Sequence, residues 1–211
     1  GARPAVPAAA GAAAASPTLA VRVPQPAVNM AAFHDRYGGC FGGDCLVLLA
    51  DGTLRKVSAV RKGDRLAAQG GSSPSEVLCI ARTVVDGGAL PLVELEGGLQ
   101  ITAHHPVLVG GEWRFPIDFA MEKETSCEAV YTFLLQEGGS AVVVDGVPCV
   151  ALGHGLTEGA ADHPYFGSWH TVSKDLEMLP GFHSGLVDLS AGTTRRDPAT
   201  GLVSSLAGGL A

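Results

Sequence analysis

The stretch Gly38-Gly39-Cys40-Phe41-Gly42-Gly43-Asp44-Cys45 divides the chain into two parts of different composition. Before it lies an Ala/Pro-rich tract with very few charges. After it come short β-like runs that are separated by glycine-rich turns. Because a thiol follows two glycines where the tract meets the folded region, we predict that Cys40 acts on the chain's own backbone.

Residues 1–33 have the composition of a flexible linker. Five prolines break any long helix in this tract, and its only aromatic residue is Phe33. The same prolines interrupt the run of alanines, which argues against a signal peptide. We therefore predict that the tract is the N-terminal flank of a domain that begins at His34.

The rest of the chain is predicted to be all-β, because short apolar runs alternate with turn signals such as Asp51-Gly52 and Gly97-Gly98. A short helix is predicted at residues 175–179, ended by Pro180. The main candidate strands cover residues 45–50, 53–57, 76–85, 92–95, 99–102, 106–109, 113–115, 129–135, 141–144 and 147–152.

Charge and cysteine content exclude several classes of function. The formal net charge is −7 and no basic stripe stands out, so nucleic-acid binding is not expected. The longest apolar runs are too short to span a bilayer, and no membrane contact is predicted. The odd number of cysteines, five, does not indicate a disulfide framework. We expect a reducing, intracellular (cytoplasmic) location.

The Gly39–Cys40 junction has the composition that backbone attack requires. Glycine has no Cβ, so the chain can bend sharply and bring the thiol of Cys40 to the Gly39 carbonyl. A nucleophile tethered beside its target reacts intramolecularly, at a low entropic cost. A Gly-Gly-Cys segment alone is equally consistent with an ordinary loop cysteine.

A second candidate element is Thr102-Ala103-His104-His105-Pro106, which follows a β-like run. If the chain turns there, the hydroxyl of Thr102 and the imidazole of His105 can face one point. The imidazole could donate a proton to a leaving amide nitrogen, and the hydroxyl could hydrogen-bond the same peptide bond. Two adjacent histidines could also form part of a metal site, but no partner ligands appear at the usual spacing, and no cofactor is predicted.

A third candidate is Gly153-His154-Gly155, which places an imidazole on flexible backbone. His154 is a candidate catalytic residue, with His163 as a possible helper. The alternative is that His154 is a turn histidine hydrogen-bonded to backbone, and the residues alone do not decide between the two.

In this order, the three elements resemble the Hint superfamily of hedgehog autoprocessing domains and inteins. The resemblance is closer to the Vint branch, which occurs in proteins that also carry a von Willebrand factor A module. The segments that carry the Hint resemblance are Cys40-Phe41-Gly42-Gly43, Ala50-Asp51-Gly52-Thr53, Lys62-Gly63-Asp64, Thr102-x-x-His105 and Val144-Asp145-Gly146-Val147. The segments that are similar to Vint domains are Val150–Gly155, His163-Pro164-Tyr165-Phe166-Gly167, Leu186-Val187, Arg196-Asp197 and Gly201-Leu202.

The resemblance implies an all-β, horseshoe-like Hint core with internal pseudo-twofold symmetry over residues 34–155, and a loop-rich, Vint-type extension over residues 156–211. It implies an N–S acyl shift at the Gly39–Cys40 bond, with Cys40 as the nucleophile and Thr102 and His105 activating the bond. The product would be a thioester between the N-terminal flank and Cys40. A von Willebrand factor A module would be the expected neighbour in the full-length protein.

The chain also departs from inteins, which end in His-Asn and use the Asn to release the second flank. Here Val150-Ala151 stands at that place, and no Asn occurs after Asn29. Splicing by Asn cyclisation is therefore excluded. Thr132 and Gly139 stand where inteins often carry an acidic residue and a histidine.

Two other functions stay open at this point. The domain could be a catalytically silent Hint-like interaction module, which the missing residues and a buried Cys40 would favour. It could also be a cysteine peptidase that acts on other proteins, with Cys40 and either His105 or His154 as a dyad.

Overall fold

The computed structural model describes residues 1, 39–68, 73–190 and 193–206. The predicted flank, residues 1–33, lies outside the described residues except for Gly1. Within them the chain forms sixteen strands, one α-helix and several short 3-10 turns. The fold is therefore mainly β, as the sequence predicts.

The strands are β1 Phe41–Gly42, β2 Leu46–Leu48, β3 Leu54–Lys56, β4 Arg65–Leu66, β5 Ser75–Val84, β6 Ala89–Glu94, β7 Gln100–Ile101, β8 Val107–Val109, β9 Glu112–Arg114, β10 Glu122–Ser126, β11 Ala129–Leu135, β12 Ala141–Val144, β13 Val147–Val150, β14 Leu186–Leu189, β15 Thr194–Arg196 and β16 Val203–Leu206. The helix, α1, is Trp169–Glu177. The predicted strands at 129–135 and 141–144 are confirmed residue for residue.

Two larger sheets and one small one result from this strand order. The first has the order β10-β6-β7-β1-β11-β5-β14, with β4 also pairing with β5. The second has the order β3-β2-β12-β13-β8-β9, and β15 pairs with β16. Glycines with positive φ, such as Gly52 and Gly97, form the turns between neighbouring strands, where an L side chain would be strained.

Strand β1 lies between β7 and β11 in the first sheet. Phe41 pairs with Ile101 of β7 on one side and with Tyr131 of β11 on the other. The Phe41 side chain is fully buried and stacks on Phe133, with ring centroids 5.9 Å apart. Cys40, which directly precedes β1, is therefore held near the middle of the sheet.

The C-terminal extension packs on the core through a shared apolar cluster. Leu134 and Leu152 of the core contact Val172 and Leu176 of α1 in this cluster. Strand β14 adds to the first sheet by pairing parallel with β5, from Leu186↔Ile80 to Leu189↔Thr83. The extension thus completes both the sheet and the core.

Helix α1 begins earlier than predicted. The sequence predicts a helix at 175–179, but the helix runs over Trp169–Glu177. The hydroxyl of Ser168 caps its N-terminus by accepting a hydrogen bond from Thr171 N. Pro180 follows the helix closely, as expected for a residue that cannot continue it.

Strand β10 was not predicted, because its sequence Glu-Lys-Glu-Thr-Ser lacks apolar alternation. It lies at the edge of the first sheet and pairs along its length with β6. Most of its side chains face solvent, so sheet pairing and not burial defines this strand.

We expect Leu176→Ala to destabilise the protein by about 2–5 kcal/mol, because it removes a fully buried side chain from the cluster shared by core and extension. Met178, close in sequence and 79% exposed, provides the matched control, and Met178→Ala should change the free energy of unfolding by less than about 0.5 kcal/mol. Urea unfolding curves measure both. Equal effects would show that the helix does not pack as described.

Candidate active site

The Gly39–Cys40 junction is held by two reciprocal hydrogen bonds. Cys40 N donates to Thr102 Oγ1 at 3.0 Å, and Thr102 N donates to Cys40 O at 3.0 Å. The pairing of β1 with β7 sets this register, because Cys40 precedes β1 and Thr102 follows β7. Both residues are 3% exposed. The hydroxyl oxygen of Thr102 therefore accepts a hydrogen bond from the N–H of the Gly39–Cys40 peptide bond, which is the bond that the sequence predicts to be cleaved.

His105 lies one turn beyond Thr102 and faces the same junction. Its backbone N–H donates to Thr102 O at 3.2 Å, which closes the turn. Its Nε2 lies 2.9 Å from Val150 O. Because a carbonyl oxygen can only accept, Nε2 carries the proton of this hydrogen bond. The side chain is 1% exposed.

Gly39 lets the imidazole of His105 come close to the backbone. A Cβ at position 39 would lie 3.3 Å from both Cγ and Nδ1 of His105, closer than normal side-chain packing. Nδ1 of His105 therefore lies beside Gly39, the residue before the predicted nucleophile. The structure brings Gly39, Cys40, Thr102 and His105 together, as the sequence predicts.

The side chain of Cys40 belongs to a buried apolar cluster that includes Val85, Leu90, Leu92 and Val130. At 3% exposure, the residue offers little surface to a molecule arriving from solvent. An attack on the adjacent Gly39 carbonyl needs no such surface.

A cavity of about 170 Å³ lies where the core meets the extension. Gly39 and His105 contribute to its wall from the core, and His154, His163 and Arg196 contribute from farther along the chain. The other lining residues are His104, Pro106, Phe115, Thr132, Val150, Ala151, Leu152, Ala160, Ala161, Asp162, Phe166, Leu202 and Val203. Cys40 does not line this cavity, so His154 and Cys40 lie in different surroundings.

His154 and His163 are both held by backbone N–H groups. Leu156 N donates to Nδ1 of His154 at 3.0 Å, and Nδ1 of His163 accepts from the N–H groups of Tyr165 and Phe166. Burial, with a smaller contribution from His163, lowers the pKa of His154 to about 4. Burial and the charge of Arg196 also lower the pKa of His163. Both rings are therefore neutral at pH 7, with the proton on Nε2.

Three positions where the sequence departs from inteins occupy two distinct environments. Thr132 and Ala151 line the cavity, so the small side chains there leave it open. At Gly139 a Cβ would lie 2.4 Å from Ser75 Oγ and 2.8 Å from Leu135 Cβ. A histidine does not fit at position 139 unless its neighbours move.

Among the described residues, no three His, Cys, Asp or Glu side chains lie close enough together to bind one metal ion. All five cysteines are described, and none of them forms a disulfide bond. Sequence reasoning missed Arg196 and Phe115 as cavity residues. Their places depend on how the extension packs on the core, which no local pattern in the sequence encodes.

A comparison with protein families finds one matching model, Vint, described as a Hint-domain, over residues 39–205. The match begins at the junction residue and extends through the extension. The chain belongs to this Hint-domain family. The match covers Cys40, the Thr102-x-x-His105 turn and the Gly153-His154-Gly155 segment, so core and extension belong to one family unit.

Solved structures that are similar to the chain include three intein or intein-like domains. The DnaB intein from Synechocystis sp. PCC 6803 is 17% identical, covering 54% of this chain and 99% of that chain at a TM-score of 0.42. The M86 variant of the Ssp DnaB mini-intein is 16% identical, with coverages of 54% and 94% and a TM-score of 0.43. The bacterial intein-like domain from Clostridium thermocellum is 16% identical, with coverages of 53% and 97% and a TM-score of 0.43.

No curated protein matches the chain. In the part of the chain that the structure describes, no helix is long and apolar enough to cross a membrane.

We expect the protein to lose stability in acid partly through His154. The unfolded chain takes up a proton at His154 near the ordinary pKa of ~6.5, whereas the folded chain resists protonation down to about 4. Stability that is present above pH ~6.5 is therefore lost as the pH falls toward 4. Melting temperatures between pH 7 and pH 4 measure this loss.

The loss should be smaller in His154→Asn, because an Asn oxygen can still accept the hydrogen bond from Leu156 N but cannot be protonated in this range. His170 is exposed, and His170→Asn is the control that should follow the parent protein. Identical acid profiles for the parent and His154→Asn would contradict the assignment.

Proposed function

We propose that the domain cleaves its own chain at the Gly39–Cys40 bond through an N–S acyl shift. The observation that carries this proposal is the hydrogen bond from Cys40 N to Thr102 Oγ1, made beside the imidazole of His105. Membership of the Hint-domain family supports the same reaction. No cofactor takes part in the proposed step.

In the proposed step the sulfur of Cys40 attacks the carbonyl carbon of Gly39. A C–S bond forms and the Gly39–Cys40 C–N bond breaks, with no change in oxidation state. The imidazole of His105, oriented by the hydrogen bond between its Nε2 and Val150 O, takes up the thiol proton and delivers it to the leaving nitrogen of Cys40. Thr102 fixes the orientation of the scissile amide, which keeps the reacting atoms in position.

The thioester would then be resolved by water or by an external nucleophile. Position 151, where an intein would carry its terminal Asn, is an alanine that is 3% exposed. Since no Asn occurs after Asn29, the chain has no side chain for Asn cyclisation. We therefore propose self-cleavage without splicing.

In this proposal the substrate is the chain's own N-terminal flank. The similarity to Vint domains adds a von Willebrand factor A module as the proposed neighbour in the full-length protein. The free thiols fit an intracellular location, which is also a proposal.

A catalytically silent Hint-like interaction module is the second candidate. The burial of Cys40 at 3% exposure favours it, because apolar surroundings disfavour the thiolate. Two observations weigh against it. First, the proposed attack is intramolecular, so Cys40 does not need to be accessible to solvent. Second, a silent module would not require the hydrogen bond between the Cys40 N–H and the Thr102 hydroxyl. The same burial argues against a peptidase that acts on other proteins.

We expect the purified chain to release a fragment of residues 1–39 when hydroxylamine or dithiothreitol is added, because either nucleophile resolves a thioester. Intact-mass measurements over time follow the release. Cys40→Ala should abolish it, and Cys127→Ala, which removes a half-buried thiol outside the reaction, should not. A precursor that stays intact although folded, or equal release from Cys40→Ala, would favour the silent module.

We expect His105→Ala to slow the first step by about 10²–10⁴-fold, the range for a positioned acid or base. The rate of fragment release in excess hydroxylamine measures the change. His170→Ala, at an exposed position on α1, should react at the parent rate. A His105→Ala chain that reacts as fast as the parent, with an unchanged melting curve, would remove His105 from the mechanism.

A further inference from the structure

The wall of the cavity beside Gly39 contains two chemically different groups of residues. One group is Gly39, the residue that would carry the acyl group, and His105. The other group is His154, His163 and Arg196. Because Gly39 lines the cavity, a molecule bound there lies next to the proposed acyl group.

The two histidines are arranged as hydrogen-bond donors. Backbone N–H groups occupy Nδ1 of both rings, so each neutral ring carries its proton on Nε2. In the described part of the chain, neither Nε2 makes a hydrogen bond with a protein group. Both histidines line the cavity, so a molecule bound there can accept a hydrogen bond from their Nε2–H groups. Neither ring can serve as a base, since Nε2 already carries a proton and Nδ1 is occupied.

The charge of Arg196 beside His163 favours an anion in this part of the cavity wall. Arg196 is close enough to His163 to lower its pKa, and the opposing effect of Asp162 is smaller. Asp162 itself is exposed, so solvent screens its charge more strongly. A protonated amine would meet Arg196 and two N–H donors, which is unfavourable for a cation.

We propose that the cavity binds the nucleophile that resolves the thioester, and that this nucleophile is a small thiol carrying a carboxylate. The carboxylate accepts hydrogen bonds from Nε2 of His154 and His163 beside Arg196, and the thiol reaches the Gly39 carbonyl. This inference rests on the proposed self-cleavage.

The chemical step balances without an oxidant or reductant. The incoming thiolate attacks the Gly39 carbonyl carbon and forms a new C–S bond. The bond between that carbon and Cys40 Sγ breaks, and Cys40 leaves as a thiolate that takes up a proton. Residues 1–39 depart as a thioester of the small thiol. A volume of about 170 Å³ holds several water molecules or one small organic molecule of this kind.

The experiment compares 3-mercaptopropionate with the neutral thiol 2-mercaptoethanol and the cationic thiol cysteamine on the full chain. Intact mass follows the release of residues 1–39 at equal thiolate concentrations, which removes differences in thiol ionisation. We expect 3-mercaptopropionate to react about tenfold faster than 2-mercaptoethanol, with a rate that saturates, and cysteamine to be slowest. Equal rates for the three thiols, or release by water at the same rate, would overturn the proposal.

Substitutions of the two histidines test whether these residues cause the preference for 3-mercaptopropionate. His163→Asn keeps an oxygen that can accept from the N–H groups of Tyr165 and Phe166 but removes the Nε2–H donor. We expect it to abolish most of the preference for 3-mercaptopropionate over 2-mercaptoethanol, and the rate of release by hydroxylamine measures any general effect of the substitution on thioester formation. His170→Asn, at an exposed site away from the cavity, should keep the preference. An unchanged preference in both His163→Asn and His154→Asn would overturn the proposal.

Failure of the proposed self-cleavage can be distinguished from failure of the proposed anion site. If hydroxylamine releases no fragment from the parent chain, the proposed self-cleavage is wrong. If hydroxylamine releases residues 1–39 but the three thiols react at equal rates, only the anion site is wrong. Binding can be tested separately in Cys40→Ala, which cannot form the thioester. There, 3-mercaptopropionate should shift the Hε1 NMR signals of His154 and His163 in a saturable way, and the absence of any shift would contradict the site.

Discussion

The reciprocal hydrogen bonds between Cys40 and Thr102 are the constraint on which the rest of the site depends. They join the residue before β1 to the residue after β7, two strands that the sheet already pairs. With this register, the turn from Thr102 to His105 places the imidazole beside Gly39. The position of the candidate acid–base group thus follows from strand pairing and not from a flexible loop, and such positioning favours catalysis.

Much of this arrangement could be predicted from the sequence, because it depends on local patterns. Alternating apolar residues and glycine turns predicted most strands, and the Thr102-x-x-His105 spacing predicted a turn that faces the junction. Strand β10 was missed because its polar sequence is held by pairing with β6 alone. The start of α1 was missed because Ser168 caps a segment whose apolar face is defined only by the cluster around Leu134. The place of Arg196 on the cavity wall likewise depends on long-range packing.

The proposed mechanism assigns two chemical tasks to different parts of the chain. The core holds the peptide bond and the groups that would exchange protons with it. The extension contributes His163 and Arg196 to the cavity wall beside Gly39, and the core contributes His154. At the place where an intein would carry its terminal Asn, this chain has Ala151, which lines the same cavity. This arrangement supports the proposal that a molecule from outside resolves the thioester.

The pairing of β14 with β5 has a consequence for solubility as well as for packing. Strand β5 is ten residues long, and without β14 one of its edges would present unpaired N–H and C=O groups to solvent. Strand β14 covers that edge with a short strand that carries Asp188, and the charged strand β10 protects the opposite edge of the same sheet. A chain trimmed to the core would expose a long, partly apolar edge of the kind that recruits strands from other molecules. In this respect the extension protects the domain against aggregation.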